Sequence, residues 1–94
     1  MQYKQLAQVP NQRTQFTLDG RNVQIDLDTR DSGLFASITI DGVEIESYVL
    51  CEHGVALIRD VNSPLAGNFY FVDLEGDSAP VYTGFNERWV LVYR

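Results

Sequence analysis

"VPNQRTQFTLDGRNVQIDLD", Val9 to Asp28, holds two apolar/polar alternations that meet at Asp19-Gly20. Phe16 and Leu18 fall on one face of an extended chain, and so do Val23, Ile25 and Leu27, because successive strand side chains point to opposite faces. Asp-Gly between two such runs is favoured by a two-residue type I′ turn, whose central positions both need positive φ. The stretch therefore reads as a β-hairpin with its apolar side turned inward. Pro10 has no amide hydrogen for a ladder, so it is expected just ahead of the strand. Residues 1–12 are then an N-terminal arm, and residues 13–94 a single β domain.

The same grammar repeats downstream. LFASITI (34–40) places Leu34, Ala36, Ile38 and Ile40 on one face, Asp41-Gly42 offers a second I′ turn, and VEIESYVL (43–50) returns. The polar DTRDSG (28–33) between the hairpins reads as a loop, which makes the first half an antiparallel meander. VALI (55–58) is short and apolar on both faces, and RDVNSPLAGN (59–68) carries the Asn, Ser, Pro and Gly of a loop. FYFVDL (69–74) and RWVLVY (88–93) are continuous aromatic and β-branched runs. Such runs fit strands covered on both faces, or strands whose second face meets a partner. No helical period of useful length occurs. The expected fold is all-β, a small antiparallel barrel or sandwich of about six to eight short strands built from hairpins.

A chain of 94 residues has room for one core, and its stability margin is thin enough for a partner or an oligomer to matter. Thirteen acidic against seven basic residues give a net charge of -6. The basic residues stand singly along the chain, which excludes the long cationic groove that nucleic acid requires. The sign also disfavours anionic membrane surfaces, and no apolar run approaches a membrane span. MQYKQLAQVP lacks the apolar middle of a signal peptide, so a cytoplasmic site of synthesis is expected.

Cys51 is the sole cysteine and His53 the sole histidine. A metal centre needs three or four ligands and a catalytic dyad needs a base set beside its nucleophile, so neither metal nor thiol chemistry is expected. Asp26, Asp28 and Asp31 ahead of Gly33 resemble a calcium loop only loosely, since Arg30 interrupts the ligand spacing. Asp73, Glu75 and Asp77 read as a charged rim guarding the neighbouring strand against edge pairing. Phosphate-binding glycine loops, nucleophile elbows and histidine triads are absent from the sequence. No catalytic residue and no cofactor are expected.

The aromatic residues concentrate in the last third. Phe69 and Phe71 share one strand face and read as core, whereas Tyr70 and Val72 share the other and, with Val90 and Val92 of the last strand, form a candidate protein interface, because tyrosine supplies rigid apolar area with a polar tip. Tyr82, Phe85 and Trp89 add aromatic surface to it. Pro10, Asn11 and Gln12 are candidate contacts as well, since an arm ahead of an anchored hairpin can lie along another subunit.

The order of these features resembles a known family. "VPNQRTQFTLDGRNVQIDL", "ASITIDGVEI", "YVLCEHGVALI", a Pro- and Gly-containing loop into "GNFYFVDLEGD", and a terminal "WVLVYR" are similar to the small baseplate plug-like proteins of contractile-tailed bacteriophages, the family named for the plug of a cyanophage baseplate. The likeness covers residues 5–94, and Tyr48, Cys51 and His53 depart from the apolar, glycine-rich family pattern. It implies a structural, non-enzymatic subunit of the virion's tail baseplate, assembled in host cytoplasm. Its implied partners are hub, tube or wedge proteins, and a homo-oligomer is a further expectation. The competing expectation from the residues is a small β-barrel module binding a small ligand or oligomer through its aromatic face.

Overall fold

The computed structural model describes residues 1–94. Seven strands form: β1 (Gln2–Lys4), β2 (Asn11–Leu18), β3 (Arg21–Arg30), β4 (Gly33–Ile40), β5 (Val43–Leu50), β6 (Phe69–Asp73) and β7 (Trp89–Tyr93). A single 3-10 turn covers Tyr82–Gly84. The strands build two antiparallel sheets, of order β2-β3-β4-β5 and β1-β7-β6. They pack as an open sandwich.

The opening hairpin forms as its sequence dictates. Leu18 pairs with Arg21, and Asp19 and Gly20 take φ of 52° and 75°, the doubly positive geometry of a I′ turn. Asp41 and Gly42 repeat it at 50° and 80° between β4 and β5. The segment 28–33, expected as a loop, is mostly strand. Asp28, Thr29 and Arg30 pair with Phe35, Leu34 and Gly33, leaving Asp31 and Ser32 as the whole turn. Asp28 and Arg30 belong to the solvent face, where Arg30 binds the Asp28 carboxylate at 3.1 Å, while Thr29 turns to the core side with its hydroxyl buried.

One apolar core joins the sheets. Val23, Ile25 and Leu27 of β3 and Leu34, Ala36, Ile38 and Ile40 of β4 meet Phe69, Phe71, Trp89, Leu91 and Tyr93 from the second sheet. Phe69 contacts Phe16 edge-on at 5.8 Å between ring centres, and Phe71 stacks on Phe85 at 5.6 Å. VALI forms no strand but runs beside β6. Leu57 is buried there, and its amide donates to the Phe69 carbonyl at 3.0 Å.

Residues 1–12 are placed differently from the arm expected of them. Gln2, Tyr3 and Lys4 pair with Tyr93, Val92 and Leu91. Leu6 lies within the core, its backbone held by the Asn86 amide group through both N–H and C=O. Asn11 and Gln12 already belong to β2. An apolar residue at position 6 outweighs the polarity of its neighbours, because burying it against Asn86 and the core leaves no backbone group unpaired.

Candidate functional site

The register of β1-β7-β6 sorts its side chains by face. Gln2, Tyr93 and Phe69 are cross-strand neighbours on the core side, followed by Lys4, Leu91 and Phe71. Tyr3, Val92 and Tyr70 form the row between them on the outer side, and Val90 and Val72 form the next. The outer face is thus apolar from edge to edge. Tyr3 is 66% exposed, Tyr70, Val72 and Val90 are half-buried, and Val92, flanked by the two tyrosines, is buried. The Arg94 guanidinium stands 4.7 Å from the Tyr70 ring centre, which fixes that ring by a cation–π contact while leaving its polar tip free.

The other sheet mixes polar and apolar groups on its outer face. Its outer face carries Gln15 bonded to Gln24 at 2.9 Å, Arg13 on Asp26 at 2.8 Å, and Ser37, which accepts the Tyr48 amide. Toward β5 the same face carries Phe35, Tyr48 and Leu50, and the Arg30 guanidinium stands 4.6 Å from the Tyr48 ring centre.

Below the apolar sheet the connection from β6 to β7 is locked by an ion pair. The Asp73 side chain is fully buried and takes two bonds from Arg88, at 2.9 and 3.0 Å. It also accepts the amides of Glu75 and Ser78, both at 2.9 Å, while its own amide donates to His53 Nδ1. The Arg88 hydrogen bonds hold the carboxyl well below the usual carboxylate range, against the opposing effect of its burial. Asp73 is therefore not the solvated rim residue expected from its acidic neighbours. Glu75 and Asp77 do remain exposed.

Of the eight interface candidates, Tyr70 and Val72 lie together on the apolar face. Pro10, Asn11 and Gln12 lie at the start of β2, in the other sheet. The Pro10 carbonyl and the Asn11 side chain both accept the Thr29 amide, and the Gln12 side chain clamps Ala7 through its N–H and C=O. Tyr82 is half-buried and packs on the core from the 3-10 turn. Phe85 and Trp89 correct the expectation: Phe85 is 0% exposed and Trp89 7%. Trp89 donates its indole N–H to the Ser78 carbonyl at 3.0 Å, which satisfies the one polar atom of a core residue. With Phe69, Phe71, Phe85, Trp89 and Tyr93 all inside, Tyr70 and Tyr82 are the aromatic side chains of the last third left half-buried at the surface.

Tyr3 completes the face beside Val90 and Val92, which lie where the sequence places them. The sequence gives no signal for Tyr3, because three residues between polar neighbours carry no readable period, and its place on this face follows only from the pairing of β1 with β7. Cys51 is 1% exposed, and burial pushes its thiol up to about 12. In the folded chain it is closed to disulfide exchange.

A family model described as "Cyanophage baseplate Pam3 plug gp18" matches residues 1–94, the whole chain. No curated protein matches it.

Proposed function

Because the chain belongs to the cyanophage baseplate plug family, a structural component of the phage tail baseplate, we propose that it acts by binding alone, docking on a hub, tube or wedge protein through the outer face of β1-β7-β6. The observation that supports this is the row of apolar side chains that runs across all three strands of that sheet. Tyr3, Tyr70, Val72 and Val90 line it around a buried Val92, whereas on the other sheet paired polar groups cover β2 and β3 and leave only Phe35, Tyr48 and Leu50 as an apolar group toward β5. Such a patch on a small soluble domain is the kind that obligate neighbours cover, with Tyr70 as its rigid anchor. The acidic residues left over after the four ion pairs favour a partner whose apolar contact is rimmed by basic groups. Assembly takes place in host cytoplasm, before the virion is released.

Co-expression with the hub, tube and wedge proteins of its own phage tests the reading. The wild-type chain is expected to co-purify with one of them in near-stoichiometric amount. Tyr70→Asp and Val72→Asp, at half-exposed positions that leave the core intact, are expected to reduce recovery at least about tenfold. Undiminished binding by both variants removes the face from the interface, and no binding by the wild type removes the partner assignment.

A further inference from the structure

A sheet edge exposes unpaired amides and carbonyls, and folded domains blunt it with bulges, prolines, charges or a covering segment. Three of the four edges here are treated in that way or are very short. On β5 the register shifts twice against β4, Tyr48 is forced to a φ of 51°, and the Glu46 carboxylate holds the Arg59 and Asp60 amides beside the strand. The β6 edge is covered by the segment after Cys51, where Gly54 and Leu57 donate to Phe71 and Phe69. β1 is only three residues long.

β2 is the exception. Its eight residues keep an unbroken register with β3 and contain no proline and no acid. The bonding phase is fixed at both ends: Leu18 and Arg21 close the I′ turn, and Thr29 donates to the Pro10 carbonyl. In an antiparallel pair alternate residues exchange both bonds, so Gln12, Thr14, Phe16 and Leu18 are bonded to β3. The amides and carbonyls of Arg13, Gln15 and Thr17 then point outward, away from it.

We propose that this edge pairs with β2 of a second copy of the chain, antiparallel about a two-fold axis beside Gln15. The strand is self-complementary in that register. Gln15 faces its own copy, Arg13 faces Thr17, and Thr14 faces Phe16, so no like charges meet. Freedom from acid is what permits this pairing in a chain of net charge -6. Phe16, half-buried between Phe69 and the Lys4 ammonium at 4.3 Å, gains a neighbour across the axis. The product is one continuous eight-stranded sheet, closed by about six new backbone bonds, with an isologous contact that ends at the dimer. It leaves the outer face of β1-β7-β6 free, so it stands independently of the docking reading above.

Sedimentation equilibrium of the full chain from about 1 μM to 1 mM tests it. A reversible dimer in the weak range is expected, since strand pairing alone buries less than a standard interface. Gln15→Pro removes an amide hydrogen that points at the edge and is expected to give a monomer with wild-type circular dichroism. Q15K and Q15E, each set opposite its own charge, are expected to weaken the dimer about fivefold, and a one-to-one mixture of the two to restore it. A wild-type chain monomeric throughout the range overturns the proposal. So does a dimer indifferent to both charged substitutions, or a mixture that recovers nothing.

Discussion

Asp73 shows how a single residue can be misread from its neighbours and still be decisive. In the sequence it is one of three acids in five positions, which describes a solvated turn. In the fold it is the acceptor for Arg88, Glu75 and Ser78 at once, and the turn is organised around it. Its carboxyl is held below the ordinary range, so the stabilisation it brings is fully present above the unfolded value of about 3.9 and is lost as pH falls through and below that value. Urea midpoints measured between pH 7 and pH 2 should therefore drop on the acid side for the wild type. Asp73→Asn should start lower at pH 7, because Arg88 loses its counter-charge, and should show a smaller further loss in acid. Equal pH slopes for the two proteins would assign the acid sensitivity to other carboxylates. Phe85 and Trp89 were open to the same kind of error. Alternation within FYFVD separates Tyr70 from Phe69 and Phe71, but no such period covers the connection that holds Phe85 or says which face of the last strand Trp89 takes, and those two turn inward.

Among the elements, those with a local code were readable and those defined by a distant partner were not. The two Asp-Gly hairpins specify themselves, since turn chemistry and alternation agree within twenty residues. The first six residues carry no such code. Their strand exists because β7, almost the whole chain away, offers Leu91 and Tyr93 as partners, and Leu6 follows into the core at 5% exposure. Leu6→Ala is accordingly expected to cost about 2–4 kcal/mol, and removal of residues 1–6 to cost more than that. Equilibrium urea denaturation measures both. A truncated chain with an unchanged midpoint would return this segment to the status of an arm. The partial legibility of the candidate face has the same origin: Tyr70, Val72, Val90 and Val92 are visible in FYFVD and WVLVY, while Tyr3 joins them only through long-range register.

At the scale of the molecule, the two sheets differ in how far apart their partners lie along the chain. β2 to β5 is a meander closed by two-residue turns, so each pairing costs little loop entropy. β1-β7-β6 ties residue 2 to residue 93 and cannot form until most of the chain is ordered. A folding nucleus is therefore expected in β3 and β4, where Ile25 and Ile38 are opposite each other and fully buried, with the terminal sheet docking after the barrier. Stopped-flow chevrons on Ile25→Val and Ile38→Val should show most of the lost stability as slower folding. Leu6→Ala should show it almost entirely as faster unfolding. The reverse pattern would place closure of the chain ends in the transition state. The expected order also bears on assembly, because the sheet that forms last is the one whose outer face is apolar, and a neighbour covering Tyr70 and Val72 would slow its opening. Bound to such a partner, the chain should unfold more slowly than alone, with the change falling on the terminal sheet rather than on the meander.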